Sequence, residues 1–381
     1  MRILLVTWTD QLLAKLQILN PELEYCAIVV DEVEPAKKIL EQVGLSKDLL
    51  RPLYELKECV RDLYYDYVIC AENTLYTSEL LNFAKNYIAN ENKLLSFDNL
   101  NSNRHFMVER ALRYYKEHAN EFEIIATGIS HTEVGLDVTK FKRKLFNFAY
   151  SAQDLYYNFQ VAKYAILFGG GIGRIRYALI ELPTYTFHYD QSKSPTHYRL
   201  LQYFIAFRDL HNFHVPPEIY QKFFRQEYLS RRLPLEPFDV NDPFYAKMPL
   251  RFMSQKSRLD ARKLIDKWSE KNYPETREEN IKILDDYLTL CEENGIRPIM
   301  LLIPMSEGYK KYFSRQKLDE FHYLIRQAYQ KHRAAFFVNG WNLQGFDDTD
   351  FFDAVHMNIK GAAKFSAFLN DTIEKLASQG L

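Results

Sequence analysis

The sequence predicts an α/β protein with parallel sheets in two parts: a small α/β domain over residues 1–100 and a three-layer α/β/α sandwich over residues 104–381. Three observations carry this. Short apolar runs such as ILLV, AIVV and IMLLI recur between helical patterns, the alternation that produces parallel strands joined by crossover helices. Hydrophobic residues make up 47% of the chain, enough for a sizeable core. At 381 residues the chain exceeds one average domain, and NLNSN at 99–103 has the composition of a linker.

Residues 2–7 read as a buried strand, 10–19 as a helix and 25–31 as a second strand, with further strands at 67–71 and 93–97. Together they predict a Rossmann-like parallel sheet. After the first strand the chain reads Thr7-Trp8-Thr9-Asp10, with no G-x-G-x-x-G, so no dinucleotide on a glycine turn is expected. Asp31 closes the second strand, where an acidic residue either binds a ribose hydroxyl or serves as a turn or cap. Such a unit binds a nucleotide or sugar nucleotide, or docks a partner; both readings stay open.

A helix over 106–119 leads into EIIATGISHTEVGLD at 123–137. Its apolar run ends at Gly128-Ile129-Ser130, and the chain turns into a helix with Ser130 at the junction. Side chains at the carboxyl end of a parallel strand project into the crevice where open α/β sheets bind ligands. Gly128 permits the tight turn, and the first amides of the helix offer donors to a developing negative charge. Far downstream, DFFDAVHMNIKGAAKF at 350–365 places Asp353 and His356 three residues apart. One turn of chain then holds the carboxylate against the imidazole and fixes its tautomer, as a hydroxyl nucleophile requires. Ser130, Asp353 and His356 follow in that order.

Between these stretches, 144–149 reads as a short strand and a long helix runs to about residue 168. The run Gly169-Gly170-Gly171-Ile172-Gly173 lacks the Lys-Ser/Thr of a phosphate loop and precedes a strand, so it ends that helix and turns into the strand at 176–182. Residues 191–270 form an insertion with an aromatic helical stretch at 197–210, Pro216-Pro217 and Arg231-Arg232. It is a lid or acceptor platform whose rings suit sugar faces, or a helical satellite of the core. Helices at 278–293 and 318–332, strands at 297–304 and 334–339, and a terminal helix from residue 360 complete the sandwich.

Gly128-Ile129-Ser130 with Gly135 and Asp137 resembles the first block of the SGNH (GDSL-like) hydrolases. Asp353-Ala354-Val355-His356 with Asn358 and Gly361 resembles their terminal block, in the variant of the D-alanyl-transfer and alginate O-acetylation proteins. The resemblance covers residues 121–381 and implies Ser130 as nucleophile, His356 as base and Asp353 as its orienting acid. Asn147 to Ala152 resembles the second block, which implies the Ser130 and Ala152 amides as oxyanion donors. Ala152 stands where that block usually carries glycine. The third block implies an asparagine after the strand at 176–182; the chain has Pro183-Thr184-Tyr185 instead, leaving Thr184 or Tyr185 as substitute hydroxyl donors. The resemblance implies a serine esterase or O-acyltransferase acting on a carbohydrate or cell-surface glycan precursor. The contrasting reading is a non-catalytic binding or assembly protein of surface polysaccharide biosynthesis.

A formal charge of −1 argues against nucleic acid as a partner. Cys26, Cys59, Cys70 and Cys291 are too widely spaced for a zinc motif or a disulfide framework, and neither a metal nor another cofactor is expected. The amino terminus is too short and too quickly polar for a signal peptide, and no apolar run approaches membrane-spanning length. A cytoplasmic location without stable membrane insertion is therefore expected, unlike the exported or membrane-anchored relatives. Oligomeric state stays open.

Overall fold

Two five-stranded sheets, each wholly parallel, organise the computed structural model, which describes residues 1–19, 22–71, 79–90, 93–96, 107–214, 221 and 255–379. The chain divides into one unit of Met1–His105 with Val215–Phe238 and a second of Phe106–His214 with Asp239–Leu381. The linker expected at 99–103, Pro216-Pro217 and Arg231-Arg232 lie outside the described residues.

The first unit alternates β1 (Arg2–Thr7), α1 (Thr9–Ile18), β2 (Glu24–Val30), α2 (Val33–Gln42), β3 (Leu50–Pro52), α3 (Leu56–Asp62), β4 (Tyr67–Ala71), α4 (Glu79–Lys85) and β5 (Leu94–Ser96). The sheet order is β3-β2-β1-β4-β5. Successive side chains of a strand face opposite ways, so β1 serves two cores: Ile3 and Leu5 pack with Leu12 and Leu40, while Leu4 and Val6 pack with Leu56 and Leu80. The three residues of β3 were not expected as a strand. Leu-Arg-Pro has no periodicity to detect, and Pro52 is tolerated because β3 is an edge strand. Asp31 Oδ1 accepts both the N–H and the hydroxyl of Thr9 at 2.8 Å, so this carboxylate fastens the first residue of α1.

The second unit runs α5 (Met107–His118), β6 (Ile124–Thr127), α6 (Ser130–Gly135), β7 (Leu145–Asn147), α7 (Leu155–Leu167), β8 (Tyr177–Glu181), α8 (Leu201–Phe207), α9 (Gln255–Ser269), α10 (Pro274–Glu293), β9 (Arg297–Leu302), α11 (Glu307–Tyr312), α12 (Arg315–Lys331), β10 (Phe336–Asn339) and α13 (Ile359–Ser378). The order β10-β9-β8-β6-β7 puts β8 at the centre, where all five of its residues are buried. One sheet face, with Ile124, Ala126, Leu179, Ile299 and Leu301, packs against Phe365, Leu369 and Ile373 of α13, whose spacing of four lines one side of that helix. On this sheet α7 also packs on β6 and α10 on β9. Each buried Leu, Ile or Phe contributes roughly 1.5–3 kcal/mol, which makes these faces the main source of the unit's stability.

α7 ends at the glycine run. Gly170 and Gly173 adopt positive φ, +89° and +72°, and Gly171 N–H returns to Ala165 O at 3.1 Å. The aromatic stretch at 197–210 forms a 3-10 turn (His197–Leu200) followed by α8, while α9 and α11 had not been expected as separate helices. Among the described residues, no helix is long and apolar enough to cross a membrane.

Because all strands of the second sheet run the same way, the chain leaves β6, β7, β8 and β10 at one edge. Ser130 follows β6, Ala152 follows β7 and Thr184 and Tyr185 follow β8 within five residues, while Asp353 and His356 come in the longer segment between β10 and α13.

Candidate active site

Ser130 is the first residue of α6, directly after the turn that leaves β6. The turn is crowded by Glu181 and Thr132. A Cβ on Gly128 would collide with Glu181 Oε2 and come within 2.7 Å of Glu181 Cβ and 2.9 Å of Thr132 Cβ. Glu181, the last residue of β8, is fully buried; its Oε2 accepts Ile129 N–H at 2.9 Å and Thr132 N–H at 3.2 Å, and its Oε1 lies 2.9 Å from His131 Nδ1. A carboxylate at the start of a helix binds the exposed amides and the positive end of the helix dipole. It thereby fixes where the Ser130 side chain starts.

His356 Nε2 lies 2.9 Å from Ser130 Oγ, across 226 residues of sequence. On the far side of the ring, Nδ1 lies 2.9 Å from Asp353 Oδ2 and 3.1 Å from Oδ1. An ionised carboxylate only accepts, so Nδ1 carries the proton and Nε2 is left to accept the Ser130 hydroxyl. Asp353 Oδ1 also takes Val355 N–H and His356 N–H, each at 2.9 Å, which closes the Asp-x-x-His turn on itself. Burial alone raises a carboxyl pKa; the imidazole and these two amides outweigh it and hold Asp353 below the ordinary carboxylate value. The side chains of His356 and Asp353 keep 18% and 31% exposure, so the dyad opens to solvent.

The residues after His356 are structural. Asn358 caps α13 by accepting Lys360 N–H and Gly361 N–H at 3.0 and 3.1 Å, and donates to Thr349 O at 2.8 Å. Gly135 joins the two distant stretches, since a Cβ there would sit 2.9 Å from Met357 Cε.

Ala152 occupies the third position of a turn closed by Gln153 N–H to Tyr150 O at 2.9 Å, and its φ is +65°. Type II turns require positive φ at that position and favour glycine there. The substitution of alanine therefore leaves the turn in place at a strain of about 1–2 kcal/mol. The turn is pinned by Tyr189 O–H to Ala152 O at 2.8 Å and by Arg199 to Ser151 O at 3.0 Å. Among the described residues, the N–H groups of Ser130 and Ala152 donate to no acceptor.

Thr184 and Tyr185 are both buried but differ in availability. Thr184 Oγ1 pairs with Tyr309 O–H at 2.8 Å. Tyr185 packs with Ile129 and Tyr189 and stacks on Trp268 at 4.7 Å between ring centroids; among the described residues its hydroxyl has no partner.

Several site residues were not legible in the sequence. Glu181 ends a central strand whose YALIE pattern reads as uniform core. His131 showed no partner pattern, yet it pairs with Glu181 and its ring lies 5.5 Å from that of His356. Glu133 accepts Ser151 O–H at 2.7 Å; burial pushes its carboxyl above the ordinary value against that bond and the nearby Arg199 and His356. The signal that was present for Glu133 was its place three residues after Ser130, on the same side of a helix.

A second polar cluster, Asp154, Asp190 and His211, has ligand-type atoms within 4.8 Å of one another. Its carboxylates are already supplied with donors. Asp154 accepts Tyr157 N–H at 3.0 Å and Gln191 N–H at 2.8 Å, while Asp190 accepts Ser192 N–H at 2.8 Å and Asn212 Nδ2 at 3.0 Å. Both therefore act as caps, Asp154 for α7 and Asp190 for the turn at Gln191–Lys193. Burial pushes Asp154 up to about 6, while its own amide bonds and His211 pull against that rise.

No protein-family model matches the chain, and no curated protein matches it.

Proposed function

We propose that the chain is a serine esterase or O-acyltransferase that forms an acyl-enzyme on Ser130, with a carbohydrate or glycan precursor as its ester substrate. The observation that carries this reading is the unbroken series Ser130 Oγ, His356 Nε2, His356 Nδ1 and Asp353, at 2.9 Å for each hydrogen bond. His356 takes the hydroxyl proton as Ser130 Oγ bonds to the ester carbonyl carbon, and Asp353 stabilises the imidazolium that results. The oxyanion is received by the amides of Ser130 and Ala152, each such donor being worth roughly 3 kcal/mol. Collapse breaks the ester C–O bond, and the alcohol leaves with the proton held on His356. Water or a sugar hydroxyl then gives its proton to His356 as its oxygen bonds to the acyl carbon, and the acyl–Oγ bond breaks as His356 returns the proton to Ser130.

The sheet order and the four segments converging at one edge support an SGNH-like sandwich for the second unit. The order β3-β2-β1-β4-β5 supports a Rossmann-like first unit, whose Asp31 is engaged by Thr9 rather than left for a ribose. In place of the third-block asparagine, Tyr185 is the better hydroxyl donor, because Thr184 is held by Tyr309. We place the protein in the cytoplasm, acting on a soluble glycan intermediate.

The absent asparagine favours one other reading, a glycan-associated binding or assembly protein with an inactive site. A fluorophosphonate probe decides between them. The enzyme reading expects labelling of the folded protein that disappears in Ser130→Ala, and an unlabelled folded protein leaves the binding reading.

A further inference from the structure

Lys271 lies just beyond α9, with its backbone N–H on Trp268 O at 3.3 Å. Its ammonium sits over three tyrosine rings, 5.0 Å from the centroid of Tyr189 and 5.9 Å from those of Tyr185 and Tyr273. Two of these rings are tied to the Ser130 site. Tyr185 and Tyr189 cluster with Ile129, the residue before Ser130, and the Tyr189 hydroxyl holds the Ala152 carbonyl at 2.8 Å. Trp268, stacked on Tyr185, also meets the His131 ring edge-on at 6.4 Å.

Among the described residues, the Lys271 ammonium has no hydrogen bond and no carboxylate partner. Burial lowers it to about 8, and the charge acting on it is a second cation, the exposed Lys267. Tyrosine faces attract a cation through their quadrupoles but carry no net charge to neutralise it. A half-buried ammonium in this setting gains most from an anion brought by a ligand, and a compact ammonium binds carboxylate or phosphate oxygens as a point charge.

We propose that Lys271 is the anion-binding residue of the Ser130 site, so that the preferred ester carries a carboxylate or phosphate on the part lying along Tyr185 and Tyr189. This rests on the esterase or acyltransferase reading of Ser130. It makes Lys271 a specificity determinant and leaves the bond-breaking groups as described.

The full chain is assayed with phenyl acetate, 4-acetoxybenzoate and 4-acetoxyphenyl phosphate, and the two anionic esters are titrated by calorimetry into Ser130→Ala. At least one anionic ester is expected to exceed phenyl acetate in kcat/KM. In Lys271→Met and Lys271→Gln that preference falls about tenfold or more, mainly through KM, and Lys271→Arg restores part of it. The same loss is expected in binding when Lys271→Met is added to Ser130→Ala, and the ester that loses more identifies carboxylate or phosphate as the group read. An unchanged preference, or unchanged binding in folded double variants, overturns the proposal. If no ester is turned over by the wild-type chain, it is the Ser130 reading that fails, and the calorimetric comparison still decides Lys271.

Discussion

Glu181 Oε2 accepts the Ile129 N–H at 2.9 Å, so the residue immediately before Ser130 is held by a carboxylate from a different strand. The same side chain, fully buried, takes Thr132 N–H and pairs with the buried His131. It couples the end of β8 to the start of α6, and Gly128 leaves just enough room for it.

Removing that carboxylate strands the Ile129 N–H and the His131 imidazole in the interior, while the Thr132 N–H keeps Ile129 O as an acceptor at 3.0 Å. Glu181→Ala is expected to destabilise the second unit by about 3–5 kcal/mol, the range for breaking a buried charged network. Glu181→Gln keeps the shape and one accepting oxygen and should cost less, about 1–3 kcal/mol. Denaturant unfolding measures both. Losses below ~0.5 kcal/mol, typical of surface positions, would show that this contact is not holding the turn before Ser130.

The turn at Ala152 predicts an unusual sign for a substitution to glycine. Ala→Gly ordinarily costs about 0.5–1 kcal/mol through the flexibility of the unfolded chain. At φ +65° the relief of left-handed strain offsets or exceeds that cost. Ala152→Gly should be neutral to about 1 kcal/mol stabilising, with fluorophosphonate labelling of Ser130 retained. A clear fall in melting temperature would argue against the strained turn.

His211 predicts a pH dependence of stability. Burial disfavours its charge, but Asp190, Asp154 and Glu279 outweigh burial and raise it above the ordinary histidine value. Its ring also stacks on Tyr156 at 3.8 Å between centroids. A group raised in the folded state contributes stability that is complete below its unfolded value, about 6.5, and is lost as pH rises through the folded value. Asp154, at about 6, completes its ionisation only above this point and adds a smaller fall of the same sign. His188 and His322, both held below the ordinary histidine value mainly by burial, act the other way but equally in both proteins, so the excess melting temperature of the wild type over His211→Gln should shrink from pH 6.5 upward. Parallel melting curves for the two proteins across this range would remove His211 as the cause.

Much of this architecture was readable before any coordinates. β1 and β4 occupy the residues expected, and α5, α7, α10, α12 and α13 fall within a few residues of their predicted positions. Alternating burial in strands and a four-residue stripe in helices are local patterns, which apolar residues write directly into the chain. β3 was missed because three residues that include a proline carry no period. α9 was missed within a stretch read only as an insertion, although Lys-, Arg- and Leu-rich QKSRLDARKLIDKWS has helical composition.

What the sequence determined by itself was the identity and order of Ser130, Asp353 and His356, because an Asp-x-x-His turn is closed by its own backbone and a strand-end serine by its neighbouring glycine. Only the tertiary structure decided that these segments meet within hydrogen-bonding distance, that Glu181 lies beneath the turn, and that Lys271 stands over the tyrosines beside it. These relationships join residues far apart in the chain. A parallel sheet brings them together by gathering the carboxyl ends of its strands at one edge, and no periodicity within a single segment records which side chains will face one another there.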